Sequence, residues 1–254
     1  MRDRPVPDPT APTTDLPVPG RALAIAAHPD DVEFGCGATL ARWAASGTAI
    51  VHVICTDGSK GTWDAAADLP ALVARRQDEQ RAASLALGGD GTVVFLGGVD
   101  GELEADLPTR RAVAEAIRRH RPDVVLAHDP WKRYRLHPDH RAAGWLAIDG
   151  IVAARDPHFF PDLDVAPHRP SALLLFEADE PDHVEVADDR WLAARCDALE
   201  RHVSQFETTH FHRLVEAPQG EMAAFRKRER DTLAEMGALA GVALGEAFKR
   251  IDEL

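Results

Sequence analysis

Apolar residues along the chain gather in two alternating kinds of run. Short unbroken ones, over 22–27, 49–55, 92–96, 124–127 and 171–176, are dominated by Ala, Val, Ile and Leu. Such runs suit strands covered on both faces, which need no polar alternation. Between them lie stretches of helical spacing: 35–46, closed by Gly47; 69–87, closed by Gly88; 109–120; and 140–154. A glycine directly after a helical run fits the left-handed residue that ends many helices. Beyond Val186 the pattern stays helical, over about 189–202, 221–238 and 242–252. Strands alternating with helices of this length predict an α/β fold with a doubly wound, Rossmann-like, mostly parallel sheet and a helical C-terminal region. Residues 21–254 read as a single domain without internal repeats. Residues 1–20 carry six prolines and little apolar content, and read as a disordered or strap-like leader.

Composition narrows the function classes. A chain of 254 residues can bury roughly 70–75% of its unfolded surface, so the fold needs no staples. Twenty-nine basic against 42 acidic residues give a net charge of -13. That balance argues against nucleic acid or an anionic membrane as partner, because both demand a basic face. Cys36, Cys55 and Cys196 form no CxxC pair, which disfavours a disulfide scaffold and fits a reducing compartment. No run approaches the roughly 20 apolar residues of a membrane span. The N-terminus has prolines and charges where a secretory signal has an apolar segment, so a cytoplasmic protein is expected.

In doubly wound sheets ligands bind beyond the carboxyl ends of the strands. The loops at 28–37, 56–64, 97–102 and 128–140 therefore matter most, and two hold a high density of metal-capable groups: His28-Pro-Asp-Asp31 and His137-Pro-Asp-His140. Pro29 fixes φ and suits a first helical turn. Positions i and i+3 share a helix face, so His28 and Asp31 can grip one ion while Asp30 is left to handle a water. His137 and His140 repeat that spacing; if His140 completes the set, the site is His-Asp-His with an open position, as in catalytic zinc centres. Either tetrapeptide alone also suits an ordinary capped helix start. Two of them at strand ends of one sheet favour the metal.

Together with Phe34-Gly-Cys-Gly37, Thr56-Asp-Gly58, Arg76-x-x-Glu79 and His202-x-Ser-Gln205, these motifs make residues 21–206 resemble the LmbE/PIG-L family of zinc-dependent N-deacetylases. The resemblance implies His28, Asp31 and His140 as ligands of one zinc ion per chain, with ferrous iron as the alternative in the cell. It implies Asp30 as general base, His137 as oxyanion stabiliser or general acid, and Asp139 as the group that orients His137 and keeps it charged. The implied reaction is removal of an N-acetyl or related N-acyl group from an N-acetylglucosamine-type sugar or conjugate; a non-sugar amide or thiol conjugate is the alternative substrate.

Other candidates remain open on sequence alone. Lys132, Arg133, Tyr134 and Arg135 form a basic stretch before His137. Tyr134 and Arg135 either recognise an anionic substrate group or pair locally. Arg76 either reaches the sugar or pairs with Glu79 on the surface. His128 reads as a satisfied loop-end histidine, Cys36 as packing, and Trp63 as a sugar contact. His202 and Gln205 line a pocket or cap a helix, and His210 and His212 have ligand spacing without a third partner. Arg226, Lys227, Arg228 and Arg230 read as a solvated helix face, and apolar helices within 221–254 would suit a homo-oligomer contact. Gly35-Cys-Gly37 lacks the third glycine of a dinucleotide fingerprint, since position 40 is leucine. A two-metal phosphoesterase would need bridging carboxylates that no motif supplies, and a non-catalytic sugar-binding module would leave Asp30 and His137 without a task.

Overall fold

The computed structural model describes residues 11–211 and 220–254. In chain order the elements are β1 (Thr13–Thr14), β2 (Arg21–Ala26), α1 (Asp31–Ala45), β3 (Ala49–Thr56), α2 (Leu69–Ala86), β4 (Val93–Gly98), α3 (Leu107–His120) and β5 (Val124–His128). There follow α4 (Pro138–Arg155), β6 (Ala172–Phe176), β7 (His183–Ala187), α5 (Asp189–Leu199), short turns of 3-10 and π helix over 203–210, α6 (Glu221–Ala238) and β8 (Leu244–Ile251). All eight strands join one sheet in the order β1-β7-β8-β6-β5-β2-β3-β4. Pairing is parallel from β6 through β5, β2 and β3 to β4, and antiparallel where β8 lies between β6 and β7.

Successive side chains of a strand point to opposite faces, so the unbroken apolar runs feed two cores. Leu23, Ile25, Val53 and Val125 pack with Val113, Ile117, Leu146 and Ile151 of α3 and α4. Ala24, Ile54, Leu126 and Leu174 pack on the other face with Leu40 and Trp43 of α1 and Ala83 of α2. Cys36 is buried in this second core, as packing requires, and all three cysteines are buried and free. Among the described residues no helix is long and apolar enough to cross a membrane. Residues 1–10 of the leader lie outside the described residues. Thr13 and Thr14 pair in parallel with His183 and Val184, and Leu16 is buried with its N–H on Glu185 Oε1 at 2.8 Å.

Two parts of the C-terminal half depart from the sequence reading. Residues 183–187, left without an expected element, form β7, and the helix expected over 242–252 is the strand β8. Leu-Gly-Glu-Ala-Phe-Lys-Arg-Ile is rich in good helix formers, but the slot between β6 and β7 offers backbone partners on both sides, and tertiary context overrides propensity. The segment is consequently a sheet interior and presents no helical face to a second subunit.

β8 also carries a buried charge that ties it to α1 and α5. α1 is broken at Cys36 (φ −153°), which frees the N–H groups of Ala38 and Thr39. Glu246 Oε1 and Oε2 accept from them at 2.9 and 2.8 Å. Arg195 answers that carboxylate at 2.7 Å and Glu229 at 2.8 Å, with all three side chains buried. Breaking a buried pair strands a charge, so Arg195→Leu should destabilise the chain by about 3–5 kcal/mol. Chemical denaturation checks this; a loss below about 1 kcal/mol would mean that the carboxylates find other partners.

Candidate active site

Chain order reverses at β2, which has β3 on one side and β5 on the other. The carboxyl ends of β2 and β5 thus open a crevice where a ligand is expected. α4 starts at Pro138, so the second motif forms the cap and first turn of a helix, whereas α1 starts only at Asp31, and His28, Pro29 and Asp30 form the turn that leads into it. Both N-termini aim at the crevice, where the helix dipoles favour negative charge. The cavity between them has a volume of about 340 Å³ and is lined by His28, Asp30, Asp31, His137 and His140 among others. That volume suits a small ligand.

Three imidazoles meet there: His28 lies 4.6 Å from His137 and 5.2 Å from His140 between ring centroids, and His137 and His140 stack at 4.9 Å. Asp31 Oδ2 lies 3.2 Å from His28 Nδ1, and Oδ1 lies 3.4 Å from His140 Nε2. The opposite edge of His28, Nε2, is 3.1 Å from Asp100 and 3.0 Å from Asp139. Burial pulls the His28 imidazole down, but hydrogen bonds to Asp100, Asp139 and Asp31 hold it well above its usual range. Asp31 is held well below the carboxylate range: burial opposes this, and the imidazoles gathered on it, His140, His128 and His28, outweigh it. Burial pushes His140 down to about 3, so it is neutral.

These residues fit a divalent metal. Metal ligands must be deprotonated, and Asp31 is ionised while His140 is neutral. Three carboxylates crowd one imidazole, an arrangement that calls for positive charge, which the His28 proton supplies here. Ligand atoms of Asp31, His128 and His140, and those of His28, His137 and His140, lie within 4.8 Å of one another. Nitrogen with carboxylate oxygen suits zinc or another first-row ion. Arg135 Nη1 donates to His140 Nδ1 at 2.8 Å, which leaves the proton of the neutral ring on Nε2, facing Asp31. A cation replacing that proton would need the Arg135 contact to loosen.

Asp30, between these ligands, has a different environment. Its backbone is left-handed (φ 98°), a conformation aspartate tolerates better than most residues. Its side chain is buried, Oδ2 has no hydrogen-bond partner, and Oδ1 lies 3.9 Å from Arg76 Nη2. Burial pushes its carboxyl up to about 7, against the opposing charge of Arg76.

The remaining sequence candidates divide sharply. Arg76 reaches the cavity wall but makes no pair with Glu79; it donates to Gly58 O at 2.8 Å and Pro29 O at 2.6 Å, clasping two site loops. The left-handed backbone of Gly58 (φ 65°) favours glycine, and a Cβ there would press on Arg76 Nη1 at 2.8 Å. Glu79 instead accepts from Ser204 N and Oγ and from Arg75. Asp139 does not hydrogen-bond His137: its oxygens take His28 Nε2 and the N–H groups of Gly101 and Leu103. Nor is His137 held charged. Burial, then the charge of His28, lower its pKa. Tyr134 is 88% exposed with φ 59° and lies outside the cavity lining, as does Arg135, whose guanidinium is turned to Glu177 at 2.5 Å and to His140. The basic stretch is thus answered locally, with Lys132 on the Glu177 carbonyl.

His128 is more involved than a loop-end residue: it is buried at the end of β5, stacks on His140 at 4.3 Å and reaches Asp31 Oδ2 at 3.2 Å. Gln205 and Trp63 line the cavity, whereas His202 lies behind it with Nε2 3.3 Å from Glu33 Oε2. His210 is held by the Leu199 and Gln205 carbonyls, and His212 lies outside the described residues. Lys227 pairs along its exposed helix face with Asp231. Sequence reasoning passed over Asp100, Lys60, Thr208 and Thr209, all of which line the cavity. Asp100 had a signal, being an acid in the loop after β4.

Three comparisons bear on this site. A family model described as PIG-L, GlcNAc-PI de-N-acetylase, matches residues 23–150. Diacetylchitobiose deacetylase of Thermococcus kodakarensis is 34% identical over 190 residues, covering 73% of this chain and 70% of that enzyme. The 1D-myo-inositol 2-acetamido-2-deoxy-alpha-D-glucopyranoside deacetylase of Streptomyces avermitilis is 34% identical over 174 residues, and the match spans 58% of that enzyme. Among solved structures, the N,N'-diacetylchitobiose deacetylase from Pyrococcus horikoshii, complexed with its inhibitor MPG, superposes with a TM-score of 0.81 at 28% identity, covering 92% of this chain and 84% of that one.

Proposed function

The chain belongs to the PIG-L (LmbE) family, and on that footing we propose that it is a metal-dependent N-deacetylase acting on an N-acetylglucosamine-type sugar or its conjugate. The observation that carries the reading is the Asp30 carboxylate, its buried Oδ2 without a hydrogen-bond partner, in one small cavity with His28, Asp31 and His140. The named activities of both enzyme relatives, acetamido-sugar deacetylations, agree with it.

His28, Asp31 and His140 would hold one divalent ion per chain, zinc with ferrous iron as the cellular alternative, whose chemistry there would be to acidify a water and polarise the acyl carbonyl. Asp30 takes the proton of the attacking water as its oxygen bonds to the acyl carbon. As the C–N bond breaks, Asp30 returns that proton to the leaving nitrogen, giving the free acid and the amine, and the acid's remaining proton passes to the amine as carboxylate and ammonium separate. His137, a neutral imidazole at the cavity mouth, donates an N–H to the oxyanion; loss of one such donor costs about 2.7–4 kcal/mol in a comparable site. Asp139 acts on His28, fixing the ring by accepting from Nε2 so that Nδ1 faces Asp31. Arg76 holds the loops on which Asp30 and Gly58 are carried.

The cavity is lined by carboxylates, and its exposed cation, Lys60, is engaged by Glu102 at 3.0 Å, so the reading is of a neutral acetamido sugar rather than an anionic one. Arg135→Ala should therefore leave the preference between neutral and phosphorylated substrates unchanged. A direct bond to a charged group is worth about 1.5–3 kcal/mol, so a selective loss of tenfold or more on the phosphorylated sugar would show that Arg135 does bind an anion. The three buried, unpaired cysteines support a reducing compartment, which we take to be the cytoplasm. The function itself is tested by amine release from N-acetylglucosamine, diacetylchitobiose and acetamido-glucosyl inositol, with and without chelator. Metal-loaded protein that frees no amine from any of them would overturn it.

A further inference from the structure

α2 turns a polar face to the interior. Arg76, Glu79, Gln80, Ala83 and Ser84 are its buried residues, spaced i, i+3, i+4, i+7 and i+8. Gln80 has no exposed surface, and every polar atom of its amide is used. Oε1 accepts from the backbone N–H of Asp30 at 3.0 Å. Nε2 donates to Glu33 Oε1 at 2.8 Å and to His52 Nδ1 at 3.0 Å. Glu33 comes from α1, His52 from β3 and Gln80 from α2, and both acceptors are fully buried.

Two features give this cluster a consequence for Asp30. First, the acceptors dictate which way the amide faces: with Glu33 and His52 both accepting, only Nε2 can point at them, so Oε1 must point at the Asp30 amide. Burial lowers the pKa of His52, keeping that ring neutral with Nδ1 free to accept. Second, the bond fixes a residue with φ 98°, where a non-glycine backbone persists only when its surroundings over-determine it. The carbonyl of the same peptide group, Pro29 O, is held by Arg76, so both polar atoms of the peptide that precedes the Cα of Asp30 are anchored on α2. Neither Gln80, Glu33 nor His52 lines the cavity.

We propose that Gln80 is a positioning residue for the general base, its side-chain oxygen holding the Asp30 backbone in the left-handed conformation that aims the carboxylate into the cavity, with Glu33 and His52 setting the amide's orientation. The proposal rests on Asp30 being the base. Its test is a double-mutant cycle on the metal-loaded enzyme using Gln80→Met, Asp30→Asn and the pair. Asparagine accepts left-handed backbone as aspartate does but cannot take a proton. Gln80→Met should lower kcat on the order of 10- to 100-fold, as supporting partners of site residues do, with KM and metal content at wild-type values. In the Asp30→Asn background the same change should cost nothing further in kcat, because groups acting as one unit are non-additive.

An equal loss in both backgrounds, a wild-type kcat in Gln80→Met, or a loss that tracks metal content would overturn the proposal. Should Gln80→Met not unfold cooperatively, Gln80→Asn withdraws the oxygen while keeping an amide in the core, and must give the same cycle. Full activity in Asp30→Asn alone would instead sink the base assignment, an outcome distinct from failure of the Gln80 proposal.

Discussion

Asp30→Ala should keep its metal and lose about 10²- to 10⁴-fold in kcat, the usual contribution of a positioned acid–base group. The loss should fall on kcat rather than KM, because the carboxylate acts on the water and the leaving nitrogen and not on the resting substrate. Asp30→Asn should match it, since the backbone is kept and only the proton acceptor is removed. Metal analysis on the same preparations separates this from damage to the neighbouring ligand: Asp31 holds its own contacts to His28, His128 and His140, none of which passes through the Asp30 side chain. A variant with undiminished turnover would refute the assignment and move attention to His137, another titratable group that lines the cavity.

Removing the metal should have the larger effect. Chelation, or Asp31→Asn with zinc supplied, should bring amine release down to background, and zinc should restore only the chelated wild type. Asp31 is the carboxylate common to His28, His128 and His140, so its neutral replacement leaves those imidazoles without the charge that gathers them. The folded chain should also respond to metal thermally. A ligand that binds only the native state at a hundred times its Kd adds about 2.7 kcal/mol, or roughly 5–10 °C in Tm for a chain of this size. Asp31→Asn should show no such rise, whereas Asp30→Ala should retain it. A stoichiometry of two metals per chain would favour phosphoester chemistry instead.

What can be read along the chain is what short-range chemistry imposes. The parallel strands are legible because a strand buried on both faces must be apolar at every position, and the metal ligands because a histidine and an aspartate three apart at a strand end lie within reach of one another, here across the turn that enters α1 and not within a helical turn. His28 with Asp31 and Asp30 thus carries its geometry in four consecutive residues. The α/β sheet follows from the same local rules, and the two motifs meet because β2 and β5 are neighbours across its switch point.

The remaining assignments depended on partners far off in sequence. β8 became a strand because β6 and β7 left a slot whose backbone bonds outweighed helix propensity. Asp139 turned to His28, and Arg135 to Glu177, because a buried charge takes whichever opposite charge the packing brings near, and sequence separation does not enter that choice. Gln80, Glu33 and His52 look in isolation like surface polar residues or a strand filler. Only burial from several sides turned them into a fixed network, since a polar group cut off from water must find its hydrogen bonds within the protein.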